Sequence, residues 1–201
     1  FSRELVQYAG DNIPLLLLFG AATSFILGMG MTASACYIFL AIVLAPALVT
    51  AGLDPMASHL YVLYWGLVSF ITPPVALAAI AAAFVAKANP MRTAVTSLRI
   101  GILLMLLPVF FVLQPALILR GEIGTILLAT ATASVAILVL AAAFEGHLYR
   151  VGALAPWARV ALGAGALLML APEPTTDLIG LGVVTTGIVA ATLVRPATRS
   201  G

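Results

Sequence analysis

The chain has 201 residues, of which 63% are hydrophobic and 8% charged, and its formal net charge is +2. A soluble domain carries roughly 25% charged residues, so this composition, with a mean hydropathy of +1.20, excludes a soluble domain and specifies a polytopic membrane protein. The few basic residues then report orientation in a bilayer and not nucleic-acid binding.

In chain order, Phe1 to Asn12 is a polar lead-in with Arg3, Glu4 and Asp11. With no Met and no basic stretch before an apolar core, a signal peptide is not expected here, and the chain reads as a piece of a longer protein. Asn12 with Pro14 marks a helix start, and Ile13 to Leu27 is apolar up to the run Gly28-Met29-Gly30-Met31-Thr32-Ala33-Ser34. Ala35 to Gly52 is apolar again, with the single cysteine, Cys36, and Pro46 inside it, so no intrachain disulfide forms. As one straight helix Ile13 to Ala51 would measure about 58 Å at ~1.5 Å per residue, nearly twice a ~30 Å hydrocarbon core. The segment must therefore break, and the two glycines are where backbone turns most cheaply.

Asp54-Pro55 reads as a second helix start, with Asp as cap and Pro at the first helical position, and predicts a helix from Pro55 to Ile71. Pro73 and Pro74 lack a backbone donor and push Thr72 and Pro73 out of helical geometry, so that helix stops. The run from Val75 to Ala86 that follows reaches only about 18 Å and does not cross alone. Two consecutive apolar segments are thus interrupted, at Gly28 to Ser34 and at Ser69 to Pro74. Irregular backbone survives at membrane depth only where protein buries it or it lines a wet cavity, so the pair points to a substrate or ion site.

Lys87 to Arg99 reads as a polar connection in which Asn89-Pro90 starts a short surface helix, with Arg92 and Arg99 on one face. Ile100 to Leu119, Ile123 to Phe144, Leu154 to Ala171 and Leu178 to Val194 read as four plain spans. They are joined by Arg120-Gly121-Glu122, by a polar connection with Arg150 and Arg159, and by the acidic turn Pro172 to Asp177. Arg195 and Arg199 form a basic tail. Basic and non-basic loops alternate, which places the C-terminus in the cytoplasm. The fold class is therefore all-α, a polytopic transmembrane helical protein with two interrupted, re-entrant or broken segments followed by about four plain helices.

Leu27-Gly28-Met29-Gly30-Met31, Tyr37-Ile38, Ala45-Pro46-Ala47-Leu48, Gly52-Leu53-Asp54-Pro55-Met56, Ile71-Thr72-Pro73-Pro74-Val75-Ala76 and Ala88-Asn89-Pro90-Met91 resemble the large membrane subunit of tripartite ATP-independent periplasmic (TRAP) transporters. Within that family they are most similar to the fused permease that works with TAXI-type binding proteins. The resemblance covers Phe1 to about Gly121, and the rest is similar to the extra C-terminal spans of some fused permeases. One departure is Thr32, where the family carries Pro. The resemblance implies a multi-pass permease of the bacterial inner membrane that takes up organic anions, driven by a sodium gradient, in an elevator-like movement. Its implied partners are a periplasmic substrate-binding protein, the remaining N-terminal half of the permease, the bilayer and a carboxylate substrate, with sodium as coupling ion and no other cofactor. Residues 1–99 then form half of the transport domain, 100–121 a helix closing the core, and 122–201 additional helices and the tail.

The residues fit that reading. Carbonyls freed where a helix halts suit a weakly held cation such as sodium, with Gly28, Gly30, Ser69 and Thr72 as its ligands. The arms that begin after each break turn N–H groups and a positive dipole end toward a carboxylate, with Thr32, Ser34, Pro73 and Pro74 on the substrate side. Two other classes compete. A membrane-embedded enzyme needs converging His, Asp, Glu or Cys residues, and Cys36 alone with an unpartnered His59 does not supply them. A structural or assembly subunit without transport of its own, or a different ion-coupled permease with broken helices, needs no such cluster. Tyr149 and Trp157 fit an interfacial aromatic belt.

Overall fold

The computed structural model describes residues 12–149, 151–171 and 173–193. The lead-in before Asn12, Arg150, Pro172 and the basic tail with Arg195 and Arg199 lie outside them. The chain divides into two compact units, Phe1–Ile118 and Leu119–Gly201.

Unit 1 is built of helices α1 (Ile13–Gly28), α2 (Ala33–Val43), α3 (Ala45–Thr50), α4 (Pro55–Val68), α5 (Leu77–Val85) and α6 (Pro90–Leu113), closed by a 3-10 turn at Pro115–Ile118. Three starts carry the same local device. The side chains of Asn12, Asp54 and Asn89 accept from the amides of Leu15, Ala57 and Arg92 at 3.1, 3.0 and 3.1 Å, and each helix has proline in its first turn, where its missing N–H costs nothing. Pro46 has no N–H to continue the ladder, so α2 and α3 are separated at Leu44, whose φ is −106°.

Two expectations change. The helix from Pro55 ends at Val68 rather than Ile71. No polar connection runs to Arg99: α6 continues from Pro90 through Arg92 and Arg99, because no residue there breaks a helix and the Thr93 and Thr96 hydroxyls bond back to the carbonyls of Asn89 and Arg92. The connection shrinks to Ala86 to Asn89, with Lys87 at φ +52°. The core of unit 1 joins Leu16 and Leu17 of α1, Leu40 of α2, Leu48 of α3, and Tyr61 and Val62 of α4.

Unit 2 has α7 (Ile123–Glu145), a two-stranded antiparallel hairpin of β1 (His147–Leu148) and β2 (Gly152–Ala153), α8 (Pro156–Leu168) and α9 (Pro174–Leu193). The hairpin takes up most of the polar connection after Glu145. The span expected over Leu154 to Ala171 is therefore a helix of 13 residues, about 20 Å long and too short to cross a ~30 Å core. The acidic turn is shorter than expected as well, since α9 begins at Pro174 and holds Thr175, Thr176 and Asp177. α8 and α9 approach backbone to backbone: a Cβ on Gly180 would lie 2.6 Å from the Gly165 carbonyl oxygen and 2.7 Å from Met169 Cγ, the close approach that small residues allow between membrane helices. Arg159 Nε and Nη2 donate to the carbonyls of Ala143 and Phe144 at 2.8 and 2.7 Å, capping the end of α7.

By length and composition, the α2–α3 pair, α6, α7 and Thr175–Leu193 of α9 are each able to cross a membrane. Their exposed faces carry Ile42, Leu104, Leu127, Leu138 and Leu178, as lipid-facing surfaces do.

Candidate functional site

Two helix ends meet in unit 1. The hydroxyl of Tyr61 donates to the Leu17 carbonyl, Gly20 lies against the Tyr61 ring, and further along Gly28 lies against Gly66 and Ser69. α1 and α4 therefore run side by side in the same direction and stop at the same level. Gly28 has room only for hydrogen: a Cβ there would overlap the Gly66 carbonyl oxygen and come within 2.8 Å of Ser69 Oγ. Gly66 is pinned from its other face, where a Cβ would stand 2.9 Å from Cys36 Sγ of α2. Helix C-termini each carry about half a negative charge, and two ending together make a region that favours a cation.

The hydroxyls at this end are committed in one direction. Ser69 Oγ donates to the Gly66 carbonyl and Thr72 Oγ1 to the Val68 carbonyl, both at 2.7 Å, in side chains only 1% and 7% exposed. A hydroxyl has one proton and two lone pairs, so each oxygen is left able only to accept. The carbonyls that the sequence suggested were free are less bare than that. Leu67, Val68 and Ser69 accept from the amides of Phe70, Ile71 and Thr72 at 3.0, 3.2 and 3.4 Å, in the tight pattern of a helix's closing turn. Thr72 and Phe70 accept from Ala76 and Ala78 at 3.1 and 3.0 Å, which holds the loop through Pro73 and Pro74 closed. The oxygens of Ser69, Phe70 and Thr72 keep a lone pair, whereas those of Val68, which also accepts from Thr72 Oγ1, and Leu67, which also accepts from the Ser69 amide, are fully used. Ile71 anchors the loop on α6, where a Cβ on Gly101 would meet Ile71 Cδ1 at 2.6 Å.

The remaining candidates are placed apart from this cluster. Gly30 is exposed with nothing within 4 Å of a Cβ built on it, so the two glycines of the first break are not equivalent. Thr32 caps α2, accepting from the Ala35 amide at 3.4 Å. Ser34, the second residue of α2, lines a cavity of about 310 Å³ with Tyr37, Leu63 and Leu67. Pro73 is half-buried and Pro74 exposed. Because Thr32 sits at φ −67°, which proline adopts, Thr32→Pro is expected to keep uptake, and loss of the cap to cost about 1 kcal/mol of stability. Thermal unfolding in detergent beside an uptake assay checks both parts.

Some residues had no local signal. His59, which the sequence leaves unpartnered, has its Nδ1 3.2 Å from the hydroxyl of Tyr37, 22 positions earlier in the chain. Ser24, one turn before Gly28, is fully buried, and its hydroxyl has no hydrogen-bond partner among the described residues. No group of three His, Cys, Asp or Glu side chains gathers among the described residues.

Comparison with known families gives a match to the family described as tripartite ATP-independent periplasmic transporter, DctM component, over residues 1–125. Neither the curated proteins nor the solved structures contain a match to the chain.

Proposed function

The chain belongs to the DctM component family of TRAP transporters, and from that premise we propose that unit 1 is half of a sodium-coupled transport domain whose ion site lies where α1 and α4 end together. The observation that carries this reading is Gly28 seated on Gly66 and Ser69. It brings two interrupted segments, far apart in sequence, to one point rich in oxygens that can only accept. The interruptions are then hairpin tips or broken helices at membrane depth, where such backbone serves a site.

Sodium, which takes neutral oxygens at modest affinity, is held by Gly28, Ser69 and Thr72, with Gly30 as an outer ligand from the exposed side. The carboxylate of an organic anion binds beside it, drawn by the cation and by the N-terminal ends of α2 and α5. Thr32, Ser34, Pro73 and Pro74 line that side. A periplasmic binding protein of the TAXI type delivers the substrate, and a second half of the permease, inverted with respect to this one, completes the site. The protein resides in the bacterial inner membrane with its C-terminus in the cytoplasm.

Thr72→Val tests the ion site. It keeps the side-chain shape and leaves the Val68 carbonyl its bond from the Ile71 amide, but removes one ligand oxygen. Losing one of several ligands costs on the order of 1–2 kcal/mol, so the sodium concentration for half-maximal uptake is expected to rise roughly ten-fold with substrate affinity at saturating sodium little changed. Unchanged sodium dependence would reduce the second break to a structural kink.

A further inference from the structure

Four serine and threonine side chains are buried among the described residues, and three of them bond back to a carbonyl three or four positions earlier: Ser58 to Asp54 at 2.9 Å, and Ser69 to Gly66 and Thr72 to Val68 at 2.7 Å. A helix commonly satisfies a hydroxyl hidden from water in this way. Ser24 is the exception. It lies in the second half of α1, fully buried, and its hydroxyl has no hydrogen-bond partner among the described residues.

The register of α1 against α4 says what Ser24 faces. Gly20, Ser24 and Gly28 follow at four-residue steps along α1, as Tyr61, Trp65 and Ser69 do along α4, and residues so spaced share one face of a helix. Gly20 lies against the Tyr61 ring and Gly28 against Ser69. Because the two helices run in the same direction, Trp65 stands across the seam from Ser24. Its ring packs beside that of Tyr61, with centroids 6.4 Å apart, and its Nε1 is the second buried polar atom here without a hydrogen-bond partner among the described residues. An indole N–H only donates, whereas a hydroxyl donates and accepts. The two are complementary, yet they do not bond to each other. Buried polar atoms left in that condition are rare in folded proteins, and two at one level of one seam call for a small polar molecule between them.

We propose that Ser24 and Trp65 bind a water molecule in the seam between α1 and α4, and that this water is a ligand of the sodium ion; the proposal rests on the ion site at the paired helix ends. The water oxygen accepts from the indole N–H, one of its protons goes to Ser24 Oγ, and its second lone pair faces the ion. The spacing suits this. Four residues of helix rise about 6 Å, so Ser24 Oγ is a turn short of an ion at the level of Gly28 and Ser69. A water bonded to that hydroxyl at about 2.8 Å, with a cation–oxygen contact of about 2.4 Å such as calcium makes, covers most of the gap. An ion that keeps one water loses less of its hydration on entering. Ser24 and Trp65 are then positioning residues, acting on the ion through the water they hold.

Nuclear magnetic resonance of the indole N–H groups in the full-length protein, labelled with nitrogen-15 and held in lipid nanodiscs, tests this. The Trp65 signal, assigned by its loss in Trp65→Phe or Trp65→Tyr, is expected to exchange magnetisation with water and to shift when sodium chloride replaces choline chloride. In Ser24→Ala the water contact should weaken and the sodium-dependent shift shrink. The sodium concentration for half-maximal uptake should rise roughly three- to ten-fold in both Ser24→Ala and Trp65→Phe, the scale of one lost hydrogen bond. A water that only fills the seam would lower thermal stability in these variants and leave the sodium dependence where it was. A Trp65 signal without water contact, or one that ignores sodium while Thr72→Val still moves the sodium dependence, overturns this proposal and leaves the ion site standing. If Thr72→Val has no effect either, the ion site itself has failed. The water contact and the sodium response are read on the unmutated protein, so a variant that folds poorly does not remove the decision.

Discussion

Replacing Gly28 with valine is expected to lower uptake by the full-length protein at least about 100-fold, the scale on which a misplacement of about 1 Å at a working site is felt, while membrane insertion persists. The side chain has nowhere to go. Even its Cβ overlaps the Gly66 carbonyl, which is backbone, and crowds Ser69 Oγ; the two added methyl groups are held stiffly by β-branching. Overpacking of this kind costs about 1–3 kcal/mol, which the helices recover only by moving their ends apart. Gly30→Val is the matched control. It sits in the same short run, in open space, and keeps the backbone carbonyl by which this position reaches the ion, so uptake should fall far less than in Gly28→Val. Comparable uptake by both variants, measured at equal membrane abundance, would show that the meeting of the two ends is unimportant.

The next largest effect is expected at Arg159. Its guanidinium makes two charge-assisted bonds to carbonyls of the last turn of α7, and lies 3.2 Å from where a Cβ on Gly146 would stand, a glycine whose φ of +71° closes that helix. Bonds to charged groups contribute about 1.5–3 kcal/mol each in good settings, but this side chain is exposed. The loss in Arg159→Ala is therefore set at about 2 kcal/mol for the pair, after discounting for solvent, or roughly 30-fold in the opening equilibrium of the α7–α8 connection. Limited proteolysis across residues 146–153 of the full-length protein reads that opening directly. Arg159→Lys keeps the charge without the planar fork and should fall between the two. Cleavage unchanged in Arg159→Ala would make the bonds incidental.

What was legible in the sequence follows from the range of the interactions. Asn12, Asp54 and Asn89 with their prolines announce helix starts because a cap acts on an amide three residues away, and the structure has those three bonds. Pro73 and Pro74 stop a helix for an equally local reason. Nothing in the order of residues distinguishes Gly28 from Gly30, since what separates them is a carbonyl 38 positions ahead of Gly28, at Gly66. Arg159 reads as an interfacial cation for the same reason: its partners, Ala143 and Phe144, lie on another helix. The extent of α6 was missed differently. Polar residues from Arg92 to Arg99 suggest a surface, but helix formation answers to propensity and caps rather than to polarity, and neither stops there. In the sequence Asp177 reads as part of a turn because proline and acidic residues cluster before it, whereas proline at the first position of α9 begins a helix.

No Asp, Glu, Lys, Arg or His stands between Leu15 and Gly52 or between Leu60 and Ala86, and the hydroxyls at the paired helix ends are neutral. A cation lodged there has no fixed counter-charge, so the loaded domain gains the ion's whole unit of charge and the empty one returns uncharged. A single carboxylate cancels that unit; a second cation restores it. The voltage across the membrane then works only on the excess, at about 2.3 kcal/mol per elementary charge per 100 mV. With the ion at the proposed site, the charge this half of the domain moves is set by the ratio of ions to substrate and not by any residue between Leu15 and Gly52 or between Leu60 and Ala86.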